Sequence, residues 1–152
     1  MKKLLFLFVT SLFILSCSND DTTEATQEPM EFEVLLKNSF ASTPITPSPH
    51  GVVIKNQNEL DELYAMISAE FFTNGFFPEN DFSTHYILYM IDGPKPDSSY
   101  SLNVSTIYEN ANSIDVNAIS SSVDEPAATV PMQPFTIVRI PKTVKPVNFN
   151  FN

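Results

Sequence analysis

Two lysines, an apolar stretch from Leu4 to Leu15, and then Ser16 followed by the chain's one cysteine, Cys17, constrain this sequence more than any later segment. A cationic start, an apolar run and a small residue ahead of the cut are the layout of an export signal. The run falls short of the roughly 20 residues that cross about 30 Å of hydrocarbon as a lasting helix. Met1 to Ser16 is therefore expected to be removed. What remains must fold without a disulfide, because a single cysteine has no partner.

Ile14-Leu15-Ser16-Cys17 resembles the lipobox of bacterial lipoproteins, a branched apolar residue and a small residue before a cysteine. The resemblance implies a diacylglyceryl group on the Cys17 sulfur, cleavage before it and acylation of the new amine. Lipidation also disposes of a lone thiol, which in an oxidising compartment is a liability. Two or three acyl chains, at about 0.8 kcal/mol per buried methylene, hold a domain on a bilayer far more firmly than one. An ordinary secretory peptide with a chance cysteine is the alternative. Ser18-Asn19-Asp20-Asp21 looks like the surface-export signal of some Gram-negative lipoproteins, and a solvated acidic tether explains the same residues. The expected location is the outer membrane of a Gram-negative bacterium, periplasmic or surface-exposed.

Loss of Met1 to Ser16 removes two of eight cations and none of eighteen acids, which leaves a mature net charge of −12. No basic stripe is left to neutralise phosphates, so nucleic acid is not an expected partner. The charge favours solubility and opposes self-association. The expected organisation is a signal peptide over 1–16, a lipidated cysteine and flexible acidic tether over 17–30, and one domain over 31–152. Thirteen Phe and five Tyr supply its large buried groups.

Glu31-Phe32-Glu33-Val34-Leu35 alternates charged and apolar residues and predicts a first strand with one wet face. Ser42 to Pro49 carries three prolines and predicts a loop. Gly51 to Lys55 reads as a short strand. Asn56 with Glu59 three residues on reads as a capping box. Leu60, Leu63, Tyr64 and Ile67 fall at helical spacing and predict an amphipathic helix, broken by Phe71 to Pro78 with its Asn-Gly and Pro. Tyr86 to Ile91 is apolar throughout and suits a strand covered on both faces. Tyr100, Leu102 and Val104, then Ile114, Val116 and Ala118, alternate with polar residues and predict an antiparallel hairpin around Asn110-Ala111-Asn112. Phe135 to Ile140 and Val147 to Phe151 predict the last strands. The pattern predicts an α+β domain, a mostly antiparallel sheet of about seven strands with one amphipathic helix; a β-sandwich is the alternative.

No G-x-S-x-G elbow, H-E-x-x-H pair, phosphate loop or dinucleotide fingerprint occurs. His50 and His85 are far apart and lack metal-ligand spacing. The adjacent acids Asp61-Glu62 and Asp124-Glu125 sit in no calcium-loop pattern and read as solvated surface groups. Neither a catalytic residue, a metal nor a cofactor is expected.

Asn80-Asp81-Phe82-Ser83, the apolar strand to Gly93, Lys95-Pro96 and Tyr100 look like the PrcB C-terminal-domain family. So do the late strands Pro134-Phe135-Thr136-Ile137-Val138-Arg139-Ile140-Pro141-Lys142 and Pro146-Val147-Asn148-Phe149. The resemblance, from about Val52 onward, implies a small non-enzymatic lipoprotein domain, since the namesake is associated with a cell-surface protease complex and implicated in its stability. Where that family has two glycines before the tyrosine, this chain has Ser98-Ser99-Tyr100, and a turn made by those glycines is expected to be lost. The expected partners are the bilayer, through acylated Cys17, and an envelope protein of protease type. The expected contact residues are Gly93, Lys95, Pro96, Ser98, Ser99 and Tyr100 on one loop and Phe76 and Phe77 on another. An envelope hydrolase using paired carboxylates and a carrier of a small apolar ligand are the alternatives.

Overall fold

The computed structural model describes residues 27–40, 49–71, 79–124 and 128–152, without the side chains of 68–71. The export signal, Cys17, most of the tether, the loop over 41–48 and the segment 72–78 lie outside the described residues. In chain order the elements are β1 (Glu28–Pro29), β2 (Glu33–Phe40), β3 (His50–Ile54), α1 (Gln57–Phe71), β4 (His85–Ile91), β5 (Tyr100–Glu109), β6 (Ile114–Ser122), β7 (Gln133–Pro141) and β8 (Val147–Phe151). They form two four-stranded sheets, ordered β2-β7-β4-β3 and β1-β5-β6-β8. The fold is α+β, as the pattern predicts, with the strands divided between two sheets rather than gathered in one.

The layer order follows from which residues share a face. Strands β4 and β7 occupy the centre of the first sheet, and the register Ile87↔Arg139, Tyr89↔Ile137 and Ile91↔Phe135 sets one face. Ile87, Tyr89, Ile91, Phe135 and Ile137 meet Leu60, Leu63, Tyr64 and Ile67 of α1 there, with Phe40 stacked on Phe135 at 4.7 Å between ring centroids. Leu88, Met90, Val138 and Ile140 point the other way, against Leu102, Ile107, Ile114, Val116 and Ala118 of the second sheet. A strand buried on both faces needs an unbroken apolar run, which is what Tyr86 to Ile91 supplies.

The capping box forms: Asn56 Oδ1 accepts from the Glu59 amide at 3.0 Å, and Glu59 Oε2 accepts from the Lys55 amide at 2.7 Å. The hairpin of β5 and β6 is antiparallel, as expected. A bulge between Val104 and Thr106 shifts its register, so Leu102, Val104 and Ile107 all pack against the core despite their uneven spacing. Strand β8 returns from the first sheet to lie parallel to β6, Ile114 opposite Val147. Glu28 and Pro29, inside the segment expected as tether, pair with Glu109 and Tyr108, and Met30 packs on the core between the sheets.

Close approach of the two layers explains one glycine. A Cβ at Gly51 would lie 2.3 Å from the Phe149 ring, so only glycine lets β8 bring that ring onto the backbone of β3.

Candidate functional site

Strand directions give the molecule two distinct ends. Ile91 pairs with His50 and with Phe135, and Phe40 pairs with Gln133, so the end of β4 and the starts of β3 and β7 lie together. The β4–β5 connection leaves from this end. At the opposite end His85 meets Pro141 and Glu28 meets Glu109, so the chain enters the domain far from that connection.

The connection, 92–99, is held by its own residues and by the strand leading into β7. Asp92 is buried, and its carboxylate pairs with the Lys95 ammonium at 2.8 Å. The same ammonium lies 5.6 Å from the centroid of the Tyr100 ring. Lys95 and Met132 exchange backbone bonds of 2.7 and 3.0 Å, Asp92 N donates to Pro134 O at 2.8 Å, and Gln133 Nε2 donates to Asp92 O at 2.8 Å. Further on, Asp97 Oδ1 accepts from the Ser99 amide at 2.9 Å and from Ser99 Oγ at 2.6 Å. These bonds hold the Asp97 carboxyl below its ordinary value. Ser98 bonds Ala128 in both directions, through its amide at 3.2 Å and its hydroxyl at 2.9 Å. The turn is thus closed by aspartate and serine side chains where glycines were expected to be needed.

Of the contact residues expected from sequence, Gly93, Lys95, Ser99 and Tyr100 are half-buried and engaged with the loop itself, while Pro96 and Ser98 are exposed. Pro94 is exposed beside them. Phe76 and Phe77 lie outside the described residues, as does Cys17.

A second feature, which the sequence reading passed over, lies along the edge of the first sheet. Strand β3 and helix α1 flank an open groove of about 580 Å³ lined by Val52, Leu63, Met66 and Tyr89, with Lys55 and Glu62 on its rim. Its signal was present in the helix: Glu59, Glu62, Leu63 and Met66 form another stripe at i, i+3, i+4 and i+7, beside the buried one. His50, expected to be a structural or surface histidine, lines this groove with its ring edge-on to Tyr89. Burial raises the Tyr89 phenol well above its ordinary value.

A third feature is a polar concavity lined by Glu79, Asn80, Asp81, Thr84, His85 and Arg139. Each nitrogen of Arg139 is engaged: Nε donates to Asn80 Oδ1 at 3.1 Å, one amino group to Glu33 Oε2 at 2.9 Å, and the other to Glu79 O. Asp81 accepts from the Ser83 hydroxyl, the Ser83 amide and the Thr84 hydroxyl, and these bonds lower its pKa. A general acid needs the opposite shift. The Thr84 hydroxyl also lies 2.8 Å from His85 Nδ1, with the imidazole tautomer deciding which of the two donates. The cluster closes the turn into β4. Among the described residues, no group of three or more His, Cys, Asp or Glu is placed to hold a metal.

Comparison of the chain with protein-family models, with curated proteins and with solved structures finds no match.

Proposed function

We propose that this chain is a lipid-anchored, non-catalytic interaction module that binds or stabilises another protein of the bacterial envelope. Cys17 carries the anchor, the outer membrane of a Gram-negative cell is its site, and the resemblance to the PrcB C-terminal-domain family makes a protease complex the first partner to examine. One observation supports this reading best. The β4–β5 connection is ordered by its own bonds and sits at the end of the domain opposite Glu28, where the tether enters. An ordered loop costs little entropy to engage, and a loop carried on a rigid sheet and directed away from the bilayer is suited to recognition. The space between the sheets is occupied by packed side chains, which gives the ligand-carrier reading little support.

The test is photo-crosslinking of the intact lipidated protein in its own envelope, with the crosslinker at Pro96 or Ser98, which are exposed. One partner captured from both positions, and lost in Tyr100→Ala while circular dichroism and melting stay near wild type, is the expected result. Capture of bulk envelope proteins alone, the same with and without Tyr100, overturns the reading.

A further inference from the structure

The two edges of the first sheet are treated differently. Strand β2, at one edge, carries the guards that keep sheet edges from pairing: Glu33 and Lys37 on the strand and a bulge between Val34 and Leu36. Strand β3, at the other, has none of them. His50–Ile54 contains no Lys, Arg, Asp, Glu or proline, and its register with β4 runs unbroken from His50↔Ile91 to Ile54↔Ile87. Among the described residues, no strand lies on its outer side and no backbone bond joins it to anything but β4. Next to this bare edge, α1 supplies a second wall. Val52 is 41% and Met66 51% exposed, which is high for apolar side chains that face one another across a groove.

An open backbone edge beside a helix wall accepts one kind of ligand well. An extended polypeptide can continue the ladder of β3 with its own amides while alternate side chains enter the groove. The floor of Val52, Leu63, Met66 and Tyr89 fits apolar side chains at those alternate positions. The rim carries both signs, Lys55 just after β3 and Glu62 on α1, so the charge of an occupant depends on which of the two it meets. Glu62 is exposed, with no bonding partner among the described residues, whereas the neighbouring Glu59 is consumed by the helix cap. A second copy of the chain fits less well, because each mature copy carries a net charge of −12.

We propose that the β3–α1 groove is a strand-addition site for an extended segment of the partner protein, with apolar residues at alternate positions and a basic residue meeting Glu62. The proposal rests on the interaction-module reading but uses a different surface from the β4–β5 loop, so the two can fail separately.

The probe is a set of short fluorescent peptides in which valine and threonine alternate around a central Lys, Gln or Glu, titrated against the full lipidated protein in detergent. The expected result is saturable binding with the order Lys, then Gln, then Glu, together with slowed amide exchange at His50 to Ile54. Val52→Lys, which places a guard on an already exposed position, is expected to weaken binding at least about tenfold. Glu62→Lys is expected to reverse the order of the Lys and Glu peptides. Absence of saturable binding, binding without protection of β3, or a concentration-dependent dimer that Val52→Lys abolishes each overturns the proposal, the last in favour of a second copy. Envelope crosslinking from Ser98 that persists in Val52→Lys would leave the module reading standing in any of these cases.

Discussion

At the scale of single residues, one turn of the β4–β5 connection is closed by a carboxylate that accepts its bonds best when charged. Asp97 is held below the ordinary carboxylate value of 3.8 by the Ser99 hydroxyl and amide. A carboxyl whose folded value is depressed contributes stability that is present above its unfolded value and is lost as pH falls through the folded one. Protection of the Ser99 amide, its exchange rate relative to that of the unfolded chain at the same pH, is therefore expected to be high above about pH 4 and to fall below it. Asp97→Asn should exchange faster at neutral pH and lose most of the acid dependence. If protection of the Ser99 amide in the wild type is the same across this range, the Asp97 turn does not order the loop. Gly51 tests a different kind of constraint. Gly51→Ala forces the Phe149 ring off β3, at an expected cost of about 1–3 kcal/mol for overpacking. In a denaturation cycle with Phe149→Ala, the second substitution should remove most of the cost of the first.

At the scale of elements, the helix is set by local sequence and the sheets only partly. Asn56→Ala removes an oxygen that accepts the Glu59 amide and is expected to cost about 1 kcal/mol, read from urea denaturation. A cost near zero would mean that packing of Leu60, Leu63, Tyr64 and Ile67 alone fixes the start of α1. The capping box, the helical stripe, the doubly buried β4 and the β5–β6 hairpin were all legible because each is specified by residues a few positions apart. The partners of β7 were not. Val138 pairs with Val34 on one side and with Leu88 on the other, across long stretches of chain that leave no periodic trace. The parallel pairing of β6 with β8 escaped for the same reason, since β7 goes to the other sheet between them. The groove was legible in part: Met66 stands on a recognisable helical stripe, but only the sheet order reveals that β3 beside it is an edge strand among the described residues.

At the scale of the whole molecule, the proposed function turns on which end would meet the membrane. Strand β5 joins the two ends, with Tyr100 at the loop and Glu109 beside Glu28, and ten residues of strand span about 30 Å. The segment from Cys17 to Gln27 reaches at most roughly 3.3–3.6 Å per residue, which by length alone permits the domain to lie on its side. Charge opposes that. With Cys17 lipidated as proposed, the domain over 31–152, with six cations against fourteen acids and a net charge of −8, is repelled by an anionic leaflet while the tether holds it there. On the proposed anchoring, the balance is expected to leave the Glu28 end inward and the Gly93 to Tyr100 loop outward. With a donor fluorophore on Asn112→Cys, in the turn at the Glu28 end, energy transfer to an acceptor lipid in anionic nanodiscs is expected to exceed that from Ser98→Cys. The difference should shrink as salt screens the repulsion. Equal transfer from the two positions at low salt would mean that the domain has no preferred orientation, and that the direction of the loop cannot be what presents it to a partner.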